Sequence, residues 1–191
     1  MASVKGTHTE RNLLASFAGE CQASMRYSFF AKKAKKEGFE QIASLFLRTS
    51  EEERAHASSF YKLLEGGEAG IEAAYPTGGN NTTAQNLRAS AAGEHEEWEK
   101  VYPEFARVAR EEGFPNAARI FEAVASVEKY HETRHLAFLA RIESGTVFKR
   151  DKAVQWRCRN CGYIHEGIEA PETCAACDHP RAYFEVLGED W

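Results

Sequence analysis

No run of 18 apolar residues occurs anywhere in the 191-residue chain, and the opening MASVKGTHTERNLLASF lacks the continuous apolar stretch of a secretory leader. Both absences lead us to expect a soluble, cytoplasmic protein with no membrane partner. A basic block is missing too: 24 Lys and Arg stand against 29 Asp and Glu, a formal charge of −5. Nothing in that balance would track a phosphate backbone, so nucleic acid is not an expected partner. No G-x-G-x-x-G or Walker sequence follows a strand pattern, which argues against a nicotinamide site in the chain. Cysteine is almost absent before residue 158, where Cys21 stands alone. The other four, Cys158, Cys161, Cys174 and Cys177, form two Cys-x-x-Cys pairs. Without a leader, that clustering speaks for metal and against disulfides.

What is present is periodic. Thr7-x-x-Glu10 reads as a capping box opening a helix that Gly38 closes, and a second periodic segment runs from about Gln41 to Glu65. Residues 66–81, GGEAGIEAAYPTGGNN, break the pattern. Thr82-x-x-Gln85 reopens a helix that ends at Gly113, and Pro115 starts a fourth lasting to about Ser144. Four helices with one long middle connection fit a bundle whose second and third helices are joined by a crossover. The halves also repeat. AKKEGF (34–39) matches AREEGF (109–114) at an offset of 75 residues, and Glu53-x-x-His56 matches Glu128-x-x-His131 at the same offset. Ala18-Gly19-Glu20, however, matches Ala92-Gly93-Glu94 at 74. One surplus residue therefore lies between Glu94 and Gly113. With Pro103 nearby, it predicts a π-type bulge or kink in the third helix.

The segment VEKYHETRH holds Glu-x-x-His twice, at Glu128/His131 and at Glu132/His135, and only the first pair has a counterpart one repeat earlier. Alternating three- and four-residue steps give the inward faces. The second helix presents Ile42, Phe46, Thr49, Glu53, His56, Phe60 and Leu63; the fourth presents Phe121, Val124, Glu128, His131, His135, Phe138 and Ile142. The first gives Leu13, Phe17, Glu20, Ser24, Tyr27 and Ala31, the third Leu87, Ala91, Glu94, Trp98, Val101 and Phe105. Every stripe carries a glutamate at its middle. Solvated surface glutamates on a misphased stripe would explain one helix but not four in agreement. Buried together, these carboxylates need positive charge. One Glu from each of two helices plus Glu-x-x-His from the other two is the donor set of ferritin-like di-iron or di-manganese bundles. Glu97, one turn past Glu94, is either a fifth inward carboxylate or a surface residue of the acidic run EHEEWE. Tyr27 and Tyr102, related by the repeat, are either phenol donors to the ligand carboxylates or core aromatics with polar tips.

From Trp156 onward fewer than forty residues remain, too few to fold without a metal staple. The two cysteine pairs, twelve residues apart, supply four sulfurs. Spacing alone leaves zinc, the common structural choice, and iron, which moves single electrons, both open. Gly162 suits the turn after the second cysteine, whereas Asp178 occupies the matching position of the second knuckle.

With AGE at 18–20, Glu53-x-x-His56, AGEHEE at 92–97, Glu128-x-x-His131 and the tail WRCRNCGYIHEG, the sequence resembles the rubrerythrin family over nearly its whole length. The resemblance implies an all-α, ferritin-like four-helix di-iron bundle over residues 1–148. A small rubredoxin-like β/metal-ribbon domain would follow over 149–191, with one iron in four thiolates. It implies a non-haem peroxidase reducing hydrogen peroxide to water, fed by an NAD(P)H-linked reductase or rubredoxin. It also suggests a head-to-tail homodimer or higher homo-oligomer. The implied di-iron ligands are Glu20, Glu53, Glu94, Glu97, Glu128 and His131, with His56 and Glu97 exchanging on one iron. The implied thiolate ligands are Cys158, Cys161, Cys174 and Cys177, with zinc possible in their place as isolated. Tyr27 and Tyr102 join Glu97 and His56 as candidate catalytic groups. Two features depart from the family pattern: CAAC lacks the proline common after the third cysteine, and Cys21, beside a ligand, is expected to pack against a neighbouring helix. A ferroxidase or iron-storage role is the alternative; the thiolate site argues against it, because storage needs no electron return.

Overall fold

In the computed structural model, which describes residues 2–78 and 81–188, five helices precede a three-stranded sheet. They are α1 (His8–Lys36), α2 (Glu40–Tyr61), α3 (Thr83–Glu96), α4 (Tyr102–Glu111) and α5 (Pro115–Glu143). A π-helical turn, Glu97–Val101, joins α3 to α4 into one bundle member, so the architecture is a four-helix bundle with a crossover between α2 and α3. Among the described residues no helix is long and apolar enough to cross a membrane.

The repeat explains how the bundle closes. In both EGF segments the glycine takes a left-handed conformation, φ 82° at Gly38 and 85° at Gly113, which a side chain would resist. The following Phe N–H then reaches back to a helix carbonyl, Phe39 to Ala34 at 2.9 Å and Phe114 to Ala109 at 2.7 Å. These are Schellman closures. The glutamate before each glycine caps the opposite repeat. Glu37 accepts from the Thr83 N–H at 2.8 Å at the start of α3, while Glu112 accepts from the His8 and Thr9 N–H groups at 3.0 and 2.7 Å at the start of α1. Each carboxylate thus satisfies orphan donors at the positive end of a helix dipole.

Two details differ from the sequence reading. The Thr82/Gln85 capping box is complete, but at Thr7 only half of one forms. Its hydroxyl accepts from the Glu10 N–H, whereas the Glu10 carboxylate accepts from Gly6 and not from Thr7. The Thr7 N–H is already committed to the Val4 carbonyl at 3.2 Å. Helix α2 also stops at Tyr61, short of the expected Glu65. Glu65 instead binds Ser3 and the Val4 N–H, tying the α2 exit to the N-terminal segment.

The surplus residue is absorbed where expected. The Tyr102 N–H bonds to the Glu97 carbonyl five residues back, the mark of a π-turn. Its consequence for the inward stripe was not foreseen: beyond Glu94 the buried positions are Tyr102, Ala106 and Ala109, displaced by one from the expected Val101 and Phe105. One extra residue rotates the remaining helix by about 100°. Trp98, also expected inside, is half-buried, and its Nε1–H donates to Glu132 at 2.6 Å.

Two apolar clusters fill the bundle. One contains Phe30, Phe46, Leu87 and Phe138, the other Leu13, Phe60, Ala106 and Phe121. The ionisable belt belongs to neither. At the C-terminus β1 (Lys149–Cys158) is the central strand, antiparallel to β2 (Ile164–Glu169) and β3 (Phe184–Val186). A small core of Trp156, Phe184, Cys158 and Cys174 lies beneath it. Phe148 stacks on Phe39 with ring centroids 6.3 Å apart, setting the sheet against the α1–α2 turn. Cys21 is exposed on α1 and not packed against a neighbouring helix as expected. It directly follows the inward-facing Glu20, so the helix turn carries it off the buried face.

Replacing Glu37 or Glu112 by Ala should each lower unfolding stability by about 1 kcal/mol, as for a lost N-cap. In urea titrations the double variant should show the two losses adding, because the sites lie on separate helix starts.

Candidate metal centres

Between the two apolar clusters, Glu20, Glu53, Glu94, Glu128 and His131 are each at most 2 % exposed. Two overlapping groups converge there. Glu20, Glu53, His56 and Glu128 form one, Glu53, Glu94, Glu128 and His131 the other, with donor atoms within 4.8 Å of one another in each. Glu53 and Glu128 belong to both.

How these atoms meet tests whether the set suits cations. His131 Nδ1 lies 2.7 Å from Glu128 Oε2 and 3.0 Å from Glu53 Oε1. Yet His131 Nδ1, Glu53 Oε1 and both Glu128 oxygens make no hydrogen bond, and neither does Glu20 Oε2. Atoms this close without hydrogen-bond alignment do not satisfy one another. Buried polar atoms left this way are costly, and a bound cation satisfies them. The electrostatics agree. Burial, followed by repulsion from Glu53 and Glu128, holds the Glu20 and Glu94 carboxyls well above the usual range. Burial also leads in raising Glu97, to about 8, ahead of Glu128 and Glu53. Two dications would reverse this penalty by supplying the missing positive charge.

Tyrosines brace the belt from both sides. The Tyr27 phenol donates to Glu94 Oε1 and the Tyr102 phenol to Glu20 Oε1. Each joins helices from different repeats, and both rings are 2 % exposed. His56 Nδ1 lies 2.9 Å from Glu53 Oε2 and 2.9 Å from Glu128 Oε1, whereas Glu97 belongs to neither donor group among the described residues. Of the two candidates for exchange, the structure brings the imidazole into the cluster. The second Glu-x-x-His pair is divided between two environments. Glu132 turns to His95 and Trp98, while His135 is fully buried against Tyr27 and Phe46. Burial, then the positive His131 and Arg134, lowers His135 to about 3 and keeps it neutral.

Sequence reasoning missed Glu52 and Arg134. His131 Nε2 meets Glu52 Oε2 at 3.0 Å, and the same oxygen accepts from Arg134 at 2.6 Å. With Nε2–H donated to Glu52, Nδ1 is the ring nitrogen left to serve a cation between Glu53 and Glu128. The Arg134 guanidinium, 2 % exposed, lies over the Tyr130 ring at 4.8 Å. The three-residue step from His131 to Arg134 was the available signal, but the acidic run Glu51-Glu52-Glu53 disguised which carboxylate it served.

The second centre is a sulfur cage. Cys158, Cys161, Cys174 and Cys177 converge, with Cys158–Cys177 at 3.8 Å and Cys161–Cys174 at 3.6 Å between sulfurs. A tetrahedron with metal–sulfur bonds of about 2.3 Å has an edge of about 3.8 Å, so the spacing fits one ion. Each knuckle turns through a left-handed residue. Gly162 (φ 79°) bonds its N–H to the Cys158 carbonyl at 2.8 Å, and Asp178 (φ 57°) does so to Cys174 at 3.0 Å. Asp178 is the only non-glycine with positive φ among the described residues. A backbone N–H bond involving His179 lowers the Cys177 thiol to about 6.

Known proteins share both halves. Residues 11–139 match the rubrerythrin family model, and residues 156–185 match the model of the rubrerythrin rubredoxin-like domain. The chain belongs to the rubrerythrin family. It is 53 % identical to rubrerythrin of Nitratidesulfovibrio vulgaris over the full length of both chains. It is 54 % identical to that of Porphyromonas gingivalis, covering 97 % of this chain and 92 % of the relative. A solved structure of fully reduced, all-ferrous nigerythrin aligns at TM-score 0.63 and 34 % identity, over 96 % of this chain and 91 % of that one. Rubrerythrins are di-iron oxidoreductases of oxidative stress with a rubredoxin-like domain, and this chain carries donor sets suited to both kinds of iron.

Glu52→Ala should weaken iron binding in the bundle by about 10–100-fold, the usual cost of removing a partner that orients a metal-binding histidine. Glu52→Gln, which keeps an acceptor for Nε2–H, should recover most of it. Chelator competition on both variants reads the difference, and equal losses would show that the carboxylate does not orient His131.

Proposed function

We propose that this protein is a non-haem di-iron peroxidase, catalysing H2O2 + 2 H+ + 2 e− → 2 H2O. Electrons would come from a separate NAD(P)H-linked reductase or a rubredoxin through the four-thiolate centre. The observation that carries this reading is the pairing, in one chain, of two donor groups sharing Glu53 and Glu128 with a four-sulfur cage. When bound, the carboxylate-held irons supply the electron pair that cleaves the O–O bond, and the thiolate-held iron passes electrons singly.

The chain's own groups have separable tasks. Glu53 and Glu128 are the shared carboxylates; Glu20 and His56 complete one side, Glu94 and His131 the other. Tyr27 and Tyr102 hold Glu94 and Glu20 in place through their phenol bonds and keep bulk water from those oxygens. Glu97 and His56 form the exchanging pair, an imidazole suiting the reduced centre and a carboxylate the oxidised one. Cys158, Cys161, Cys174 and Cys177 hold the relay ion. The path within one chain is long, since α5 extends about 18 Å beyond His131 at 1.5 Å per residue. A head-to-tail homodimer would shorten it by passing electrons between subunits. A ferroxidase role would use the same bundle but leave the relay without a purpose. The reading places the protein in the cytoplasm, where a reductase is at hand.

Anaerobic reduction followed by one equivalent of hydrogen peroxide tests the proposal. About three irons per chain should be found; one equivalent, a two-electron oxidant, should reoxidise about two of them and a second equivalent the remainder, without ferric mineral forming. Two irons with tightly held zinc in the cage would eliminate the relay. Cys161→Ser should still undergo the single oxidation by peroxide but lose sustained turnover with a reductase; steady-state activity equal to wild type would refute the division of labour.

A further inference from the structure

A cavity of about 280 Å3 lies between α1, the π-turn and the crossover segment, and it reaches two residues of the bundle centre, Glu97 and Tyr102. Ser16, Gly19 and Arg26 line it from α1, and Tyr75 lines it from the crossover. Two of these walls carry unused hydrogen-bonding capacity. Ser16 is 5 % exposed, and neither its Oγ nor the buried Nε of Arg26 has a hydrogen-bond partner. Buried polar atoms are rarely left idle, so a cavity lined by two of them suits a small polar guest.

Tyr75 closes the space. Its phenol donates to the Ala15 carbonyl at 2.9 Å, and its ring edge would lie 3.6 Å from a β-carbon placed on Gly19. The residue before the ligand Glu20 is thus small where the ring lies across α1. Glu96 also lines the cavity and offsets the Arg26 charge, so the lining has no net preference for an anion and suits a neutral molecule. Hydrogen peroxide is neutral, offers two O–H donors and accepts from Arg26 and Ser16.

Resting on the peroxidase reading above, we propose that this cavity is the entry path for hydrogen peroxide. Ser16 and Arg26 hydrogen-bond the incoming molecule, and Tyr75 is the roof that sets the size of guest admitted. Wider hydroperoxides are excluded by the Tyr75 ring, not by the metal centre.

Stopped-flow mixing of the iron-loaded, reduced protein tests this with two probes: nitric oxide, whose binding changes the visible spectrum without turnover, and a pair of oxidants, hydrogen peroxide and tert-butyl hydroperoxide. Ser16→Leu, which fills the cavity, should slow nitric oxide binding and peroxide oxidation by at least tenfold at unchanged iron content. Tyr75→Ala should raise the rate with tert-butyl hydroperoxide at least tenfold while changing the hydrogen peroxide rate less than threefold. Wild-type nitric oxide rates in Ser16→Leu, or unchanged oxidant selectivity in Tyr75→Ala, would each overturn the assignment. If Ser16→Leu does not load iron, the Tyr75→Ala selectivity decides alone. Failure of the peroxidase reading is separable: wild-type reduced protein would then be inert to peroxide, while the nitric oxide rates would still report the path.

Discussion

The fold is organised around one electrostatic problem. Glu20, Glu53, Glu94 and Glu128, all but removed from water, approach a common region between two apolar clusters. Like charges so placed repel in a poorly screened interior, and desolvation of each adds several kcal/mol. Protons can relieve part of it, as the raised Glu20 and Glu94 carboxyls show, but a pair of dications meets all four at once. The phenols of Tyr27 and Tyr102, the imidazoles, and the Glu52–Arg134 pair behind His131 all fix where those charges sit.

Internal duplication supplies the geometry. The Gly38 and Gly113 closures are equivalent, and Glu37 and Glu112 cap one another's repeats, so each half completes the other's helix ends. The symmetry is broken at the π-turn, Glu97–Val101. That one surplus residue turns Tyr102 inward in place of Val101 and sets it, with Glu97, against the cavity under Tyr75. A lopsided site on a near-symmetric frame is what distinguishes two metal positions with different partners.

The C-terminal unit meets a different requirement. A core of Trp156, Phe184 and a few neighbours is small, and four converging sulfurs supply the cross-link that such a unit needs. Its Phe148 stacks on Phe39 at the α1–α2 turn, on the same bundle end as the Phe30/Phe46 cluster, which lies between it and the carboxylate belt.

Much of this was legible in the chain because it is local. Helical spacing put Glu53 with His56 and Glu128 with His131, the 74- and 75-residue offsets exposed the duplication and the surplus residue, and two Cys-x-x-Cys pairs announced the cage. What the tertiary structure alone decided is where separate helices meet. It set His56 within the donor groups and Glu97 outside them, brought Glu52 and Arg134 behind His131, and left Cys21 on the surface. It also rotated the stripe beyond Glu94, so that Trp98 faces Glu132 and Tyr102 faces Glu20. Periodicity specifies which residues share a face of one helix, but the distance between faces of different helices depends on packing across the whole bundle. A single π-turn changes that phase for every residue after it.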